Sequence, residues 1–356
     1  DSALPGVIIN AVAGDDVINT AESKADLDIS GRVINAAEGD IVTVKVGANT
    51  YTTTVEPGLT WKVTVPAADM DGLTTGKLDV AATVINGHGN TGAGARDVAV
   101  NLDQPTLSLD PVTGDNIINL SEHGQDLILT GTSSGLMPGA AVTVTVNGAD
   151  HEARVLADGT WSVTVPKAEV EALAGESVSV KVSGTSEAGN PVETGRDIPL
   201  DLSPISISVD PVTDDNVLNA AEKGAPVAIS GKTTGVEAGR EVTLTLGDET
   251  YTAVVQADGS WKTSIDAGDL KDGDATFSVS VETSSNNEAH ASWTFTVDTT
   301  APTLTIDPIA ADNMLNAAEA GQPLTLSGTS SSEVGQTVNV TFNGHDYTAT
   351  VGTNGR

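Results

Sequence analysis

Residues 14–22 read GDDVINTAE, and this frame of acidic and amide residues around an apolar pair returns three more times. It reads DNIINLSE at 115–122, DNVLNAAE at 215–222 and DNMLNAAE at 312–319. Counted from the acid at Asp15, Asp115, Asp215 and Asp312, successive copies lie 100, 100 and 97 residues apart. So regular a spacing indicates an array of one structural unit. We therefore predict repeats at residues 1–103, 104–201, 202–298 and 299–356.

The stretches between two copies of this acidic frame are typical of short strands. In the first repeat, LDIS at 27–30 and WKVTV at 61–65 alternate apolar and polar residues, as half-buried strands do. About seven such runs per repeat, separated by turns rich in Gly, Asn and Asp, indicate an immunoglobulin-like sandwich. The predicted fold class is therefore all-β, with tandem seven-stranded sandwiches. The fourth repeat ends before its tryptophan and lacks three strands, so we expect a truncated repeat there.

The links between repeats are short, and each contains a proline. They read DQP at 103–105, DLSP at 201–204 and DTTAP at 298–302. Because none has a Gly/Ser run, each is expected to be a stiff connector rather than a flexible tether. We predict that the sandwiches stack as a monomeric rod.

Composition excludes several classes of function. The 356 residues include no cysteine, so disulfides, thiolate metal sites and thiol nucleophiles are absent. With 16 basic against 49 acidic residues, the formal charge is −33, which argues against nucleic acid or anionic lipid as a partner. No apolar run approaches the length of a membrane span, so we predict no membrane insertion.

The acidic frame has two interpretations, and both can hold together. Its Asn and Glu, three residues apart, form a capping box for one helical turn. Capping does not explain the preceding acidic pair, nor the acid at each repeat end. In a sandwich, the first loop and the end of the last strand meet at one pole, where crowded carboxylates would attract a cation. The predicted calcium ligands are Asp15, Asp16, Asn19, Glu22, Asp103, Asp115, Asn116, Asn119, Glu122, Asp201, Asp215, Asn216, Asn219, Glu222, Asp298, Asp312, Asn313, Asn316 and Glu319.

The chemistry of these side chains favours Ca²⁺ over other metals. Calcium takes six to eight oxygen ligands in irregular geometry, whereas Mg²⁺ needs a tighter octahedron. Zinc would need His or Cys, and the five histidines occupy non-equivalent positions.

A second set of candidates lies at the opposite pole of each repeat. Asp-Gly at 158–159 and 258–259 precedes a strand, and a loop before the last strand carries further polar residues. Ordinary turn chemistry explains these residues about as well as a ligand role. The possible junction ligands in this set are Asp158, Asp258, Glu187 and Asn190.

Nothing in the sequence indicates catalysis. Trp61, Trp161 and Trp261 recur at one strand position, which favours the core over a glycan-stacking surface. Trp293 has no counterpart and is a weak candidate for a surface contact. No Ser/His/Asp set or acid pair recurs, so we predict no catalytic residues and no cofactor other than calcium.

Taken in order, these motifs resemble a known family. The unit runs D-N-x-x-N-x-x-E, then Ser/Thr-Gly at a strand end, then D-G-T-W-S-V-x-V-P, Ala-Gly-Asn and finally D-x-x-A-P. It is similar to the bacterial Ig-like repeats of giant non-fimbrial adhesins, of the biofilm-associated and epithelial-contact types, exported by type I secretion in Gram-negative bacteria. The first repeat departs from the pattern with Asp16 in place of Asn. The resemblance implies an extended stalk with calcium at its domain junctions, at the cell surface or secreted.

The predicted function is therefore a calcium-stiffened, non-catalytic stalk segment of a surface adhesin that attaches cells to a host or biofilm matrix. Host or matrix glycans would be contacted through other parts of the parent protein. Three alternatives stay open: a glycan- or receptor-binding module, an accessory region of a polysaccharide-degrading enzyme, and a metal-free spacer.

Overall fold

The computed structural model describes residues 3–356, which form antiparallel β-sandwiches with only single helical turns between strands. The chain separates into two compact units, Asp1–Ser203 and Pro204–Arg356. The first unit contains two sandwiches, and the second contains one sandwich followed by two separate two-stranded antiparallel sheets.

The first sandwich packs a three-stranded sheet, β1-β3-β6, on a five-stranded sheet, β2-β8-β7-β4-β5. Alternate residues of each strand point into the core, as the burial of Leu27 and Ile29 in β3 shows. Its strands are β1 (Gly6–Ile9), β2 (Val17–Ile18), β3 (Leu27–Ile34), β4 (Ile41–Val46), β5 (Asn49–Thr54), β6 (Thr60–Val65), β7 (Gly76–Ile85) and β8 (Thr91–Val100), with 3-10 turns at Glu22–Lys24 and Ala67–Met70.

The second sandwich repeats this order. Its sheets are β9-β11-β14 and β10-β16-β15-β12-β13. The strands are β9 (Thr106–Leu107), β10 (Ile118–Asn119), β11 (Leu127–Ser134), β12 (Ala141–Val146), β13 (Ala149–Arg154), β14 (Thr160–Val165), β15 (Ser177–Thr185) and β16 (Pro191–Asp201), with helical turns α1 (Leu120–His123) and α2 (Lys167–Val170).

The third sandwich, in the second unit, has the same two sheets, β17-β19-β22 and β18-β24-β23-β20-β21. Its elements are β17 (Ser206–Val209), β18 (Val217–Asn219), α3 (Ala220–Lys223), β19 (Val227–Thr234), β20 (Glu241–Leu246), β21 (Glu249–Val254), β22 (Ser260–Ile265), β23 (Gly273–Glu282) and β24 (Glu288–Asp298).

The last part of the chain forms only half of this arrangement. Leu304 and Ile306 are exposed there, whereas Ile207, which corresponds to Leu304 in the third sandwich, is buried. Its elements are β25 (Leu304–Ile306), a 3-10 turn (Glu319–Gly321), β26 (Gly328–Ser330), β27 (Thr337–Phe342) and β28 (His345–Thr350).

The predicted all-β, immunoglobulin-like sandwich fold is confirmed, with one refinement to the strand count. The apolar pair of the acidic frame forms a short additional strand, β2, which pairs in parallel with the end of β8. The chain thus begins in the three-stranded sheet and crosses to the other sheet at the frame. Sequence periodicity misses a two-residue strand because it is too short to show alternation.

Each sandwich has its own hydrophobic core around one buried tryptophan. Trp61, Trp161 and Trp261 are each 1% exposed, which confirms the core assignment made from the sequence. The division of the chain at residues 103, 201 and 298 stays a proposal.

Candidate functional site

The strand pairing of β2 and its counterparts places the acidic frame beside the end of the last strand. In parallel register, Asn119 lies opposite Asp201, and Asn219 lies opposite Asp298. In the first sandwich the residue in line is Asn101, whose N–H donates to the Ile18 carbonyl at 3.0 Å. The domain-end acid of this sandwich, Asp103, therefore comes two residues later than its counterparts.

The first acid of the frame closes a local turn. Oδ1 of Asp15 accepts the N–H of Val17 at 3.0 Å, and Asp215 accepts from Val217 in the same way. Hydrogen bonds from the Val217 N–H and the Thr213 hydroxyl lower the pKa of Asp215. Asp115 and Asp312 accept the corresponding N–H groups at 2.9 Å.

The second residue of the frame adopts a left-handed backbone conformation in every copy. The φ angles are 66° at Asp16, 63° at Asn116, 61° at Asn216 and 65° at Asn313. Asn and Asp are the non-glycine residues that tolerate this region best, which explains their recurrence without any metal.

The side chain at this second position has a different partner in each sandwich. Asp16 forms a two-point ion pair with Arg96, whose hydrogen bonds lower the pKa of the Asp16 carboxyl. Asn216 instead accepts the indole N–H of Trp293 at 2.7 Å. Trp293 stands where Arg96 stands in the first sandwich, so it is half-buried and engaged within its own sandwich.

The third and fourth polar residues of the frame form the predicted capping box. Asn219 accepts the N–H groups of Ala221 and Glu222, while Glu222 Oε2 accepts the Asn219 N–H at 3.1 Å. The same reciprocal bonds join Asn119 to Glu122. Asn19 with Glu22 and Asn316 with Glu319 repeat the pattern.

In the first and third sandwiches, hydrogen bonds join the link to the loop that precedes the penultimate strand. Asp103 Oδ1 accepts the hydroxyl of Thr75 at 2.9 Å. In the third sandwich the acid lies in the loop and the donors lie in the link. There Asp272 accepts three hydrogen bonds from Thr299 and Thr300. These bonds, those from Thr299 first, lower the pKa of Asp272 to about 2.

Of the opposite-pole candidates, only one reaches another sandwich within its unit. Asp158 and Asp258 accept hydrogen bonds from Thr160 and Ser260 in their own turns, and Glu187 is exposed at its hairpin tip. Asn190, by contrast, bonds to Thr20, Asn101 and Asp103 of the first sandwich.

The donor set at each frame fits a hard cation by its chemistry. It consists of carboxylate, amide and main-chain oxygens, without sulfur or imidazole. A carboxylate such as Glu22 that accepts one N–H retains acceptor capacity for an ion. Among residues 3–356, however, no three His, Cys, Asp or Glu side chains lie grouped as a preformed metal cluster. The calcium ligands therefore stay a prediction.

Residues that the sequence did not single out contribute as much to this region as those that it did. Arg96 neutralises Asp16, Thr20 bridges two sandwiches, and Asp272 fixes a link. Their only sequence signal is position within the repeat, because their partners are about 27 to 170 residues away. No helix within residues 3–356 is long and apolar enough to cross a bilayer.

The chain is similar to segments of large bacterial adhesins. A chain of a Ca²⁺-stabilized adhesin that helps an Antarctic bacterium reach out and bind ice is 32% identical, covering 100% of this chain and 90% of that one, with a TM-score of 0.45. A chain of a 1.5-MDa bacterial ice-binding adhesin is 30% identical over 84% of this chain and 99% of that one, with a TM-score of 0.42.

A single immunoglobulin-like domain of the M. primoryensis ice-binding adhesin is 34% identical, covering 28% of this chain and 100% of that one, with a TM-score of 0.24. No protein-family model and no curated protein sequence matches. All three relatives are described as parts of bacterial adhesins. Two of these relatives are at least 30% identical to this chain, and the match covers 90% and 99% of their own chains. The chain belongs to the family of Ig-like tandem repeats of giant bacterial adhesins.

Proposed function

We propose that the chain is a stalk segment of a secreted, surface-displayed bacterial adhesin, and that calcium at the repeat junctions stiffens it. In this proposal the segment performs no catalysis, and other parts of the parent protein contact the host or matrix surface. The four repeats are those at residues 1–103, 104–201, 202–298 and 299–356. A relative described as Ca²⁺-stabilized supports the metal, although that statement concerns the relative.

The observation that carries the proposal is the placement of the frame beside the domain-end acid. In two sandwiches the Asn that begins the capping box lies in strand register with an Asp at the end of the last strand. Glu122 and Glu222 are held three residues beyond these Asn residues by the capping bonds. A calcium ion bound at this point would supply positive charge between these carboxylates. The residues of the chain hold the carboxylates in place and connect them to the link that follows.

This arrangement supports a dependence on calcium concentration. Without a cation, the acids at each junction repel one another, and the chain already carries a formal charge of −33. Extracellular calcium-binding modules bind at about 10⁻⁴ to 10⁻³ M, so a junction of this kind would fill outside the cell and empty inside it. The predicted ligands are the frame residues and domain-end acids, with Asp158, Asp258, Glu187 and Asn190 as further candidates.

A charge-neutral change at the frame separates calcium binding from helix capping. Gln replaces Glu in a capping box without loss of the capping bond, but it removes a negative charge. The test variant changes Glu22, Glu122, Glu222 and Glu319 to Gln. The matched control changes one exposed glutamate in each repeat, namely Glu38, Glu176, Glu249 and Glu333, to Gln.

We expect calorimetric titration of the chelated chain to show calcium binding at several sites, with a rise in melting temperature. The test variant should bind calcium about tenfold more weakly or worse, because calcium affinity follows the number of charged ligands. Its melting temperature in chelator should match that of the control. Equal calcium affinity in test and control variants would leave the frame glutamates as helix caps only.

A further inference from the structure

One hairpin of the second sandwich is covered by the first sandwich. This hairpin joins β15 to β16, and at its tip Ala188 is 6% exposed and Asn190 is 0% exposed. The equivalent hairpin of the first sandwich joins β7 to β8, where His88 is exposed and Asn90 is only half-buried. The two hairpins share the same closing hydrogen bonds, so the difference in burial comes from the contact with the first sandwich.

The Asn190 side chain makes three hydrogen bonds across this contact. Its Oδ1 accepts the N–H of Thr20 at 2.8 Å, and its Nδ2 donates to the carbonyls of Asn101 at 2.8 Å and Asp103 at 3.2 Å. Thr20 lies in the capping turn of the first sandwich, and the two carbonyls lie at its last strand and link. One amide thus joins three segments.

The orientation of this amide is set by its partners. Reversing it would place the NH₂ group against the Thr20 N–H and the oxygen against two carbonyl oxygens, which loses all three bonds. In the observed orientation Oδ1 accepts the Thr20 N–H, and Nδ2 donates to the two carbonyls of the first sandwich. All partners are main-chain groups, so none of the three hydrogen bonds involves an ionised group.

Packing around the amide is close. A Cβ atom on Gly189 would lie 2.9 Å from Asn19 Nδ2, so the absence of a side chain at Gly189 lets the hairpin tip reach the capping turn. In addition, Gln104 in the link donates to the Thr20 hydroxyl at 2.7 Å. The link, the capping turn and the hairpin tip therefore meet at Thr20.

We propose that Asn190 is a metal-independent latch, which keeps the second sandwich joined to the end of the first when no calcium is bound. The inference goes beyond the proposed function and does not depend on it. At this junction, calcium would add to a contact that already exists, instead of creating it. Asn190 is accordingly a positioning residue, whose three bonds to the first sandwich need no bound ion.

The test measures a distance distribution across the junction in the full chain. Because the chain has no cysteine, Thr52→Cys and Glu152→Cys place one spin label at equivalent exposed positions of the two sandwiches. Pulsed electron spin resonance is recorded in excess chelator on four proteins: the labelled parent, Asn190→Leu, Asn190→Asp and the matched control Asn90→Leu. Asn90 has no hydrogen bond to another sandwich within residues 3–356.

We expect a narrow distribution in chelator for the parent and for Asn90→Leu. Asn190→Leu should broaden it at least about twofold, because three main-chain groups lose their partner. Asn190→Asp should broaden it as well, because its second oxygen faces two carbonyl oxygens. The Asp variant keeps the side-chain volume, so the two variants together distinguish hydrogen bonding from packing.

A broad parent distribution in chelator would overturn the latch, and so would narrow distributions in both Asn190 variants. Calorimetry on the same samples keeps this result apart from the calcium proposal. A narrow parent distribution without any calcium binding would support the latch while the calcium proposal fails. A broad parent distribution that narrows on addition of calcium would leave calcium stiffening standing and overturn the latch.

Discussion

Asp16 and Arg96 show how a single departure in the acidic frame is answered elsewhere in the chain. Where the second and third sandwiches have Asn116 and Asn216, the first has an acid, and a guanidinium 80 residues away neutralises it. Arg96 also donates to the Ile9 carbonyl at 2.9 Å, so it joins the frame to β1. Asp16 is therefore part of an ion pair that joins the frame to the rest of the first sandwich.

Replacing Arg96 with Met should lower the stability of the first sandwich at pH 7, because the pair is two-pronged and only about one-third exposed. The pKa of Asp16 is lowered in the folded state, so the stabilisation by the pair is present above the unfolded pKa, about 3.9. It is lost as the pH falls through the lower folded value. Urea unfolding, read by hydrogen-exchange mass spectrometry of peptides from residues 7–18, would measure the loss at both ends of this range.

The matched control is Arg196→Met in the second sandwich. Arg196 donates to the Leu109 carbonyl, and the frame residue nearby, Asn116, is uncharged. The loss of stability caused by Arg196→Met should therefore be the same at pH 7 and at about pH 2.5. The loss of stability caused by Arg96→Met should be smaller at the lower pH. A pH-independent loss for Arg96→Met would show that packing, not charge, is what Arg96 contributes.

At the scale of elements, one glycine per sandwich lets the three-stranded sheet pack on its tryptophan. A Cβ on Gly131 in β11 would lie 2.0 Å from the Ser108 carbonyl oxygen and 2.5 Å from Cζ2 of Trp161. Gly31 and Gly231 have the same surroundings. The Ser/Thr-Gly pair that recurs in the sequence therefore marks a close approach between a strand, its neighbour and the core.

Gly131→Ala is expected to destabilise the second sandwich by about 3 kcal/mol or more, because neither a main-chain carbonyl nor a buried ring can move aside. The control is Gly114→Ala in the same repeat, where an added Cβ would meet no atom within 4 Å. Thermal unfolding of both variants, followed by hydrogen exchange in peptides from β11 and β14, would compare them. Equal stability of the two variants would contradict the close packing.

At the scale of the whole molecule, charge is the dominant property. The chain carries a formal excess of 33 negative charges in 356 residues, which repel one another unless cations neutralise them. In the second and third sandwiches, the strand pairing places an Asn of the frame opposite the domain-end acid. This placement is the reason to expect that calcium changes the shape of the chain.

Small-angle scattering of the full chain should show a larger maximum dimension and a narrower distance distribution in millimolar calcium than in chelator. Sodium chloride at equal ionic strength should not reproduce the change, since screening acts on all charges and does not join specific ones. Calcium should also raise the melting temperature of the wild type more than that of the frame Glu→Gln variant. An unchanged maximum dimension would contradict calcium stiffening.

The sequence by itself determined the repeat period, the all-β sandwich, the core tryptophans and the capping boxes. These features depend on residues close together in the chain or on a pattern that recurs in register, so local periodicity reveals them. The capping box, for example, closes within four residues, Asn219 to Glu222.

Only the tertiary structure decided what the frame and the hairpin tips contact. The Asp16–Arg96 pair, the Trp293–Asn216 bond and the three bonds of Asn190 join residues 77 to 170 positions apart. No periodicity encodes such partners, because they depend on which strand ends meet when two sheets pack and when one sandwich follows another. For that reason Asn190 reads as a turn residue in the sequence and becomes a junction residue in the fold.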